Sequence, residues 1–443
     1  MNKIAKYGRL ALAAGLLATA LTGCSRGDKK TTPTVGNRVP ILSRIESGAE
    51  VDRSLASVAI VLPPTRRNAE WAQVGGNAAK SYGHLELSAN PSRVWTAKVA
   101  GSTNRVRLAA SPVVGSDTLF AVGSDGTIHA FDKATGARRW DSQTVVTRGT
   151  QASAFGGGVS YENGRLYATN GLGEAKSLDA KTGEILWKVT PAGPLRGSPT
   201  IAFGEVFVMT QDNQIIALSA KDGAVNWLET ASTTQSGVFG VAAPAAGQGT
   251  VIAGFSSGEL NAYRYENGRV LWSDALARTN ISTAVSSLTD IDADPIIDSG
   301  RVYALGQGGR MAAYELLSGQ RIWELNLAGI STPAIAGEWI FTLTDDARLL
   351  AIARSTGRVR WISQLQRWKN EKKKENPIFW TGPVLAGGNL WVASSRGEVW
   401  KLDAATGERS LFTDLKQPVS MAPVVADGYL YLLDDSGTIH AFR

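Results

Sequence analysis

From residue 111 to its end the chain alternates short runs of β-branched and aromatic residues with brief clusters of Gly, Asp, Ser and Asn. One unit shows the pattern. Ser111-Pro112-Val113-Val114 opens it, Leu119-Phe120-Ala121-Val122 follows, and the turn Ser124-Asp125-Gly126 leads into Thr127-Ile128-His129-Ala130-Phe131. Lys133-Ala134-Thr135-Gly136 then closes onto Ala137 to Trp140. Runs of this length and composition, bounded by turn residues, predict four antiparallel strands. Gly136 suits a hairpin whose last loop position needs positive φ.

The unit recurs. Trp140, Trp187, Trp227, Trp272, Trp323 and Trp361 each lie four residues after a glycine, and Leu411 takes the same place after Gly407. The spacing averages about 45 residues, the length of a four-stranded propeller blade. Pro112, Pro199, Pro244, Pro295, Pro333, Pro383 and Pro423 each stand seven residues before an apolar residue of a second strand, and Val159 stands in the same relation to Leu166. Proline cannot donate to a strand ladder, so it marks the start of a strand. Eight first strands are marked in this way.

The last repeat, from Ala422 to Arg443, supplies three strands and stops before its Trp strand. Upstream, Pro91-Ser92-Arg93-Val94-Trp95 is a Trp strand with no blade of its own. Pairing the two predicts an all-β fold, an eight-bladed β-propeller of four-stranded antiparallel blades. An N-terminal strand closes the ring by joining the C-terminal blade, which leaves no open edge between the ends. The expected organisation is a signal peptide (1–23), a flexible tether (24–40), a lead-in segment packed on the ring (41–90) and the propeller (91–443).

The N-terminus changes the picture of where the ring works. Lys3, Lys6 and Arg9 precede a short apolar run, Leu10 to Leu21, which is too short to span a bilayer. The run ends in Leu21-Thr22-Gly23-Cys24, the only cysteine of the chain, and resembles the bacterial lipoprotein signal. The resemblance implies cleavage before Cys24, lipidation of its thiol and, with Ser25 following, residence on the periplasmic face of the outer membrane. Loss of three basic residues takes the formal charge from +7 to about +4, too mild to call for nucleic acid. No disulfide can form within the mature chain, so packing and closure must hold the ring.

Little in the chain suggests catalysis. Of three histidines, His129 and His440 occupy equivalent places in two repeats and His84 lies in the lead-in. No metal-ligand spacing, nucleophile arrangement or phosphate loop is present, so no cofactor or metal is expected. The glycine clusters at 156–158 and 306–309 fall at strand starts and turns. The Lys-rich run from Arg367 to Glu375 reads as a solvated protrusion, with an acidic partner or lipid headgroups as the alternative.

The repeats Asp132-Lys133-Ala134-Thr135-Gly136 and Asp179-Ala180-Lys181-Thr182-Gly183 resemble those of the pyrroloquinoline-quinone propeller superfamily. Its enzymes imply one reading, a periplasmic quinone-dependent dehydrogenase. Those enzymes carry an adjacent-cysteine disulfide that a chain with one cysteine cannot form. Over nearly its whole length the chain is more similar to the BamB family, the lipoprotein propellers of the outer-membrane β-barrel assembly (BAM) machinery. Pro194-Leu195-Arg196-Gly197-Ser198-Pro199 resembles that family's Leu-Arg-Gly loop, and Leu288 to Pro295 resembles its Asp-x-Asp loop. Gly193 and Pro194 depart from the apolar approach usual there. The resemblance implies a non-enzymatic scaffold bound to a POTRA domain of BamA alongside other BAM subunits, with unfolded outer-membrane protein precursors as further candidates. It assigns the BamA contact to Leu195, Arg196, Asp290 and Asp292. All four are expected to be exposed, because the links between blades emerge on one face and vary in length, where binding is usual.

Overall fold

The computed structural model describes residues 49–144, 156–195, 197–233, 242–276 and 289–443. Cys24, the rest of the expected signal and tether, and Arg196 lie outside them. Among the described residues the strands form eight four-stranded antiparallel sheets and one small hairpin. The blades span 113–142, 159–189, 200–230, 245–275, 296–325, 334–364 and 380–414, and the eighth combines 424–442 with Arg93–Lys98. The first strand of each blade lies innermost and the Trp strand outermost.

Closure follows the expected pairing. Trp95 faces Ala441, Thr96 faces His440 and Lys98 faces Thr438 in an antiparallel ladder. Six of the seven marker prolines stand one residue before their inner strand. Pro383 lies within Trp380–Ala386, where the ladder shifts register between Thr381 and Val384.

The recurring Gly and Trp act between blades. Each glycine of the Gly-Trp hairpins has φ between 70° and 76°, and a Cβ on it would strike the indole of the preceding blade. At Gly136 that Cβ would lie 2.5 Å from Trp95, and at Gly223 it would lie 2.7 Å from Trp187. Each indole N–H reaches across the same junction to a backbone carbonyl, as from Trp140 to Ala180 (3.2 Å) and from Trp272 to Leu316 (2.8 Å). Within its own blade each Trp faces a small residue, for example Ala217 opposite Trp227 and Ala351 opposite Trp361. Blade seven reverses this pair, with Trp400 on the third strand and Leu411 on the fourth. The reason lies next door. Third and fourth strands of blade eight come from opposite ends of the fold, so no glycine hairpin exists there to receive an indole.

Residues 49–90 cross the end of the ring that carries the hairpins between first and second strands, and they bond to every blade. Trp71 bridges Val114, the Tyr161 amide donates to Ala72, Gln73 exchanges hydrogen bonds with Ile201, and the Ala246 and Ile297 amides donate to Ala78 and Ala79. Val51 bridges Val359, Leu85 bridges Ala386, and Asn68 donates to Val425. Apart from the bridge to Val359, which lies on the outer strand of blade six, these contacts satisfy inner-strand donors and acceptors that the narrow centre of a propeller would leave unpaired.

Candidate docking face and central cavity

The links between blades emerge at the opposite end of the ring. The longest described one, between blades six and seven, folds as a hairpin of Trp368–Asn370 and Glu375–Pro377. Its tip, Glu371 to Lys374, is exposed, and Ile378 is buried at its base.

The loop geometry corrects the expectation of exposure. Leu195 is fully buried, bridges Thr210 and packs with Tyr167, Ile201 and Val208 between blades two and three. Its apolar side chain serves the core. Asp290 is also fully buried, and its carbonyl accepts from the Gln307 amide at 2.9 Å. Ile291 fills the space above Gly254, where a Cβ would come within 2.4 Å, so the loop is pressed onto blade four. Asp292 alone of the described three stays partly accessible.

Asp292 points into a cavity of about 520 Å³ in the centre of the ring. Trp71 and Tyr82 of the lead-in form its floor, with ring centroids 4.9 Å apart. Its wall consists of residues just before the inner strands, including Ser198, Ala243 and Asp294. Phe379 and Ile330, both exposed, stand among the lining residues on the loop side. The lead-in thus stops one end of the channel, and the cavity faces the inter-blade loops.

Charge is unevenly balanced there. Burial, reinforced by Asp290 and Asp345, pushes the Asp292 carboxyl up to about 7. Burial also raises Asp294, against the pull of Lys80. Lys80 is itself buried beneath the wall, and burial lowers its ammonium to about 8 despite Asp294. Its Nζ donates to Thr200 Oγ1 at 3.1 Å, and Thr200 Oγ1 donates onward to the Pro244 carbonyl at 2.6 Å. Asp294 Oδ1 accepts from the Ala243 amide at 2.7 Å, while Oδ2 is buried without a hydrogen-bond partner. Asp292 Oδ2 is in the same condition.

Sequence reasoning missed Asp294 and Lys80. The alternation Asp290-Ile291-Asp292-Ala293-Asp294 carries the signal for the first, since every second residue shares a side in an extended segment. Nothing marks Lys80 as buried. His129 and His440 prove structural: His129 Nδ1 lies 2.6 Å from Asp141 and His440 Nε2 lies 2.9 Å from Asp434.

The cavity does not suit the quinone and calcium of the enzymes that share this repeat. Asp292 and Asp294 stand among its lining residues, which disfavours an anionic group. Among the described residues no three carboxylate, imidazole or thiol groups converge to hold a metal ion.

Fold and mouth define a class, the eight-bladed propellers of quinoprotein type, here with one end of the channel stopped. A family model described as "Outer membrane protein assembly factor BamB" matches residues 77–155, 124–363 and 365–443. The chain belongs to that family. The protein of that name from Yersinia pestis is 25% identical over 363 residues, which cover 81% of this chain and 90% of the relative. Its namesake from Escherichia coli K12 is 25% identical over 366 residues, with coverage of 81% and 90%. The crystal structure of BamB from Moraxella catarrhalis matches with a TM-score of 0.66 at 20% identity, covering 80% of this chain and 99% of that one. Quinohemoprotein alcohol dehydrogenase from Comamonas testosteroni matches with a TM-score of 0.67 at 15% identity, covering 85% and 81%. At that identity the likeness is one of fold. Family membership makes this chain a non-enzymatic propeller.

Proposed function

We propose that this chain is a lipid-anchored scaffold of outer-membrane β-barrel assembly, held on the periplasmic face by Cys24 and docked on a POTRA domain of BamA. Membership of the assembly-factor family carries the reading. The contact runs through the loops before the inner strands of blades three and five. Arg196 makes a charge-assisted hydrogen bond to a partner carboxylate or carbonyl. Asp292 meets a basic or amide donor. Leu195 and Asp290 act from below, as buried struts that hold the two loops in shape.

Co-purification of BamA with Arg196→Ala tests the reading. A hot-spot arginine costs about 2 kcal/mol or more, roughly thirtyfold in affinity, in a chain that still folds. Full retention of BamA by Arg196→Ala and by Asp292→Asn would move the docking surface elsewhere, with the hairpin tip at Lys372 to Lys374 next in line. The anchor has its own test. Cys24→Ala should leave an unprocessed precursor or a soluble periplasmic protein, and unchanged outer-membrane fractionation with normal processing would remove the anchor from the reading.

A further inference from the structure

We infer that the hairpin between blades six and seven is a membrane contact that takes the headgroups of anionic phospholipids. The inference draws on the outer-membrane setting of the family and on neither Cys24 nor the BamA contact.

The hairpin holds its positive charge outward. From Arg367 to Glu375 it carries five cations, Arg367, Lys369, Lys372, Lys373 and Lys374, against two acids, Glu371 and Glu375. All five cations are exposed, and none of their side chains makes a hydrogen bond or ion pair with a described residue. Arginines on the rim behave otherwise: Arg139 pairs with Asp117 and Asp132, and Arg321 pairs with Asp274 and Glu324. Glu371 is turned back onto the hairpin, where its Oε1 accepts from the Arg367 amide at 2.9 Å and the Trp368 amide at 3.2 Å. The base is tied as well. The Ile378 amide donates to the Arg367 carbonyl at 2.8 Å, and the Trp380 indole donates to the Gln366 carbonyl at 2.8 Å. An ordered support with unpaired cations and an excess of three positive charges leaves its field for an outside partner.

The second support is Phe379, next to the buried Ile378 at the base. Its side chain is 69% exposed. Its amide donates to Ser395 Oγ at 3.0 Å and its carbonyl accepts from the Ser395 amide at 2.8 Å, so an apolar ring is held in water by a backbone fixed on blade seven. Ile330, on the preceding link, is also exposed, and both residues stand among those lining the cavity on the loop side. Cations beside exposed aromatic and aliphatic groups suit the headgroup layer of a bilayer, where phosphates meet the charges and the acyl boundary takes the apolar groups.

Composition favours lipid over an acidic protein. Four of the five cations are lysines, and lysine is depleted from protein interfaces where arginine is enriched. A lysine is a mobile point charge that fixes no particular geometry. A bilayer surface asks only for charge density, which a cluster of lysines supplies.

Co-sedimentation with extruded vesicles tests the contact, on the chain from residue 25 onward, free of acyl groups that would bind by themselves. Phosphatidylglycerol mixed with phosphatidylcholine should bind it about tenfold or more tightly than phosphatidylcholine alone, and raising salt from about 0.1 M to 1 M should abolish the difference. Each basic residue near an anionic surface strengthens adsorption by about fivefold, so Lys372→Ser/Lys373→Ser/Lys374→Ser should weaken binding to the anionic vesicles by about tenfold or more. Lys181→Ser/Lys221→Ser/Arg269→Ser removes the same charge from exposed positions in the Gly-Trp hairpins of blades two, three and four and should bind as the parent chain does. Equal binding of the two vesicle types, or equal losses in the two triple variants, would overturn the proposal. An acidic protein partner would show as absent vesicle binding together with loss of BamA from the Lys372–Lys374 variant on co-purification, and that result would overturn it too.

Discussion

Asp292 holds its carboxyl among other carboxylates, and burial with Asp290 beside it raises that group from 3.8 to about 7. Between about pH 4 and pH 7 the folded protein keeps a proton that the unfolded chain has released. Stability contributed by this site is therefore complete in acid and falls as the pH rises through that window. Asp292→Asn removes the charge while keeping the shape. Discounted for partial solvent access, it should stabilise the protein by about 1–2 kcal/mol at pH 8 and by almost nothing at pH 3.5. Urea unfolding at the two pH values measures this, and an equal effect at both would show that charge is not the cause. A single sequence marks the residue but not its surroundings. The loop from Thr289 to Pro295 stands out by its alternating acids. That Asp290 points into the core while Asp292 points into a cavity depends on Ile291 seating over Gly254, a contact between distant parts of the chain.

At the scale of the element, the Gly-Trp hairpin is legible as a turn because positive φ and four-residue spacing are local properties. Its second duty is not local. Gly223 carries φ 76°, and its missing Cβ leaves room for Trp187 of the blade before. Alanine there meets two penalties: an unfavourable backbone region of about 1 kcal/mol and overpacking of about 1–3 kcal/mol. Gly223→Ala should destabilise the protein by about 2–4 kcal/mol. Gly204→Ala supplies the control, since Gly204 has φ 79° but an added Cβ meets nothing within 4 Å, so only the backbone cost remains. Chemical unfolding of both variants checks the difference, and equal losses would mean that the indole yields freely. The same logic explains the one repeat without its tryptophan. Leu411 looks like an irregularity in the sequence, yet Trp400 opposite restores the bulk, and the neighbouring blade offers no glycine to dock on.

For the whole molecule, closure decides how stability is shared. A linear array of blades would fray at its ends, because each repeat leans only on its neighbours. Here the end blades meet through Trp95. Its indole donates to the Lys133 carbonyl of blade one at 3.1 Å and covers Gly136, while its ring lies 5.8 Å from that of Tyr431 in its own blade. The seam thus copies the junction found between other blades, as from Trp140 to Ala180, although the two strands come from opposite ends of the fold. Patterning made this joint legible, because a Trp strand without a blade and a blade without its Trp strand can each complete the other. The lead-in was less legible, since residues 49–90 form almost no regular structure and owe their path to isolated bridges and hydrogen bonds with the separate blades. If the seam is an ordinary junction, amides of Arg93–Lys98 and Thr438–Phe442 should exchange no faster than those of Gln214–Ser219 and Val225–Thr230 in blade three. Trp95→Ala should cost about 3–5 kcal/mol, the usual loss for truncating a buried aromatic, and make the seam the fastest-exchanging pair of the ring. Trp227→Ala should cost a similar amount but open the boundary between blades three and four, leaving the seam protected. Hydrogen exchange on the two variants separates the outcomes, and a Trp95→Ala protein whose seam stays as protected as blade three would show that the lead-in, not the indole, holds the ring shut.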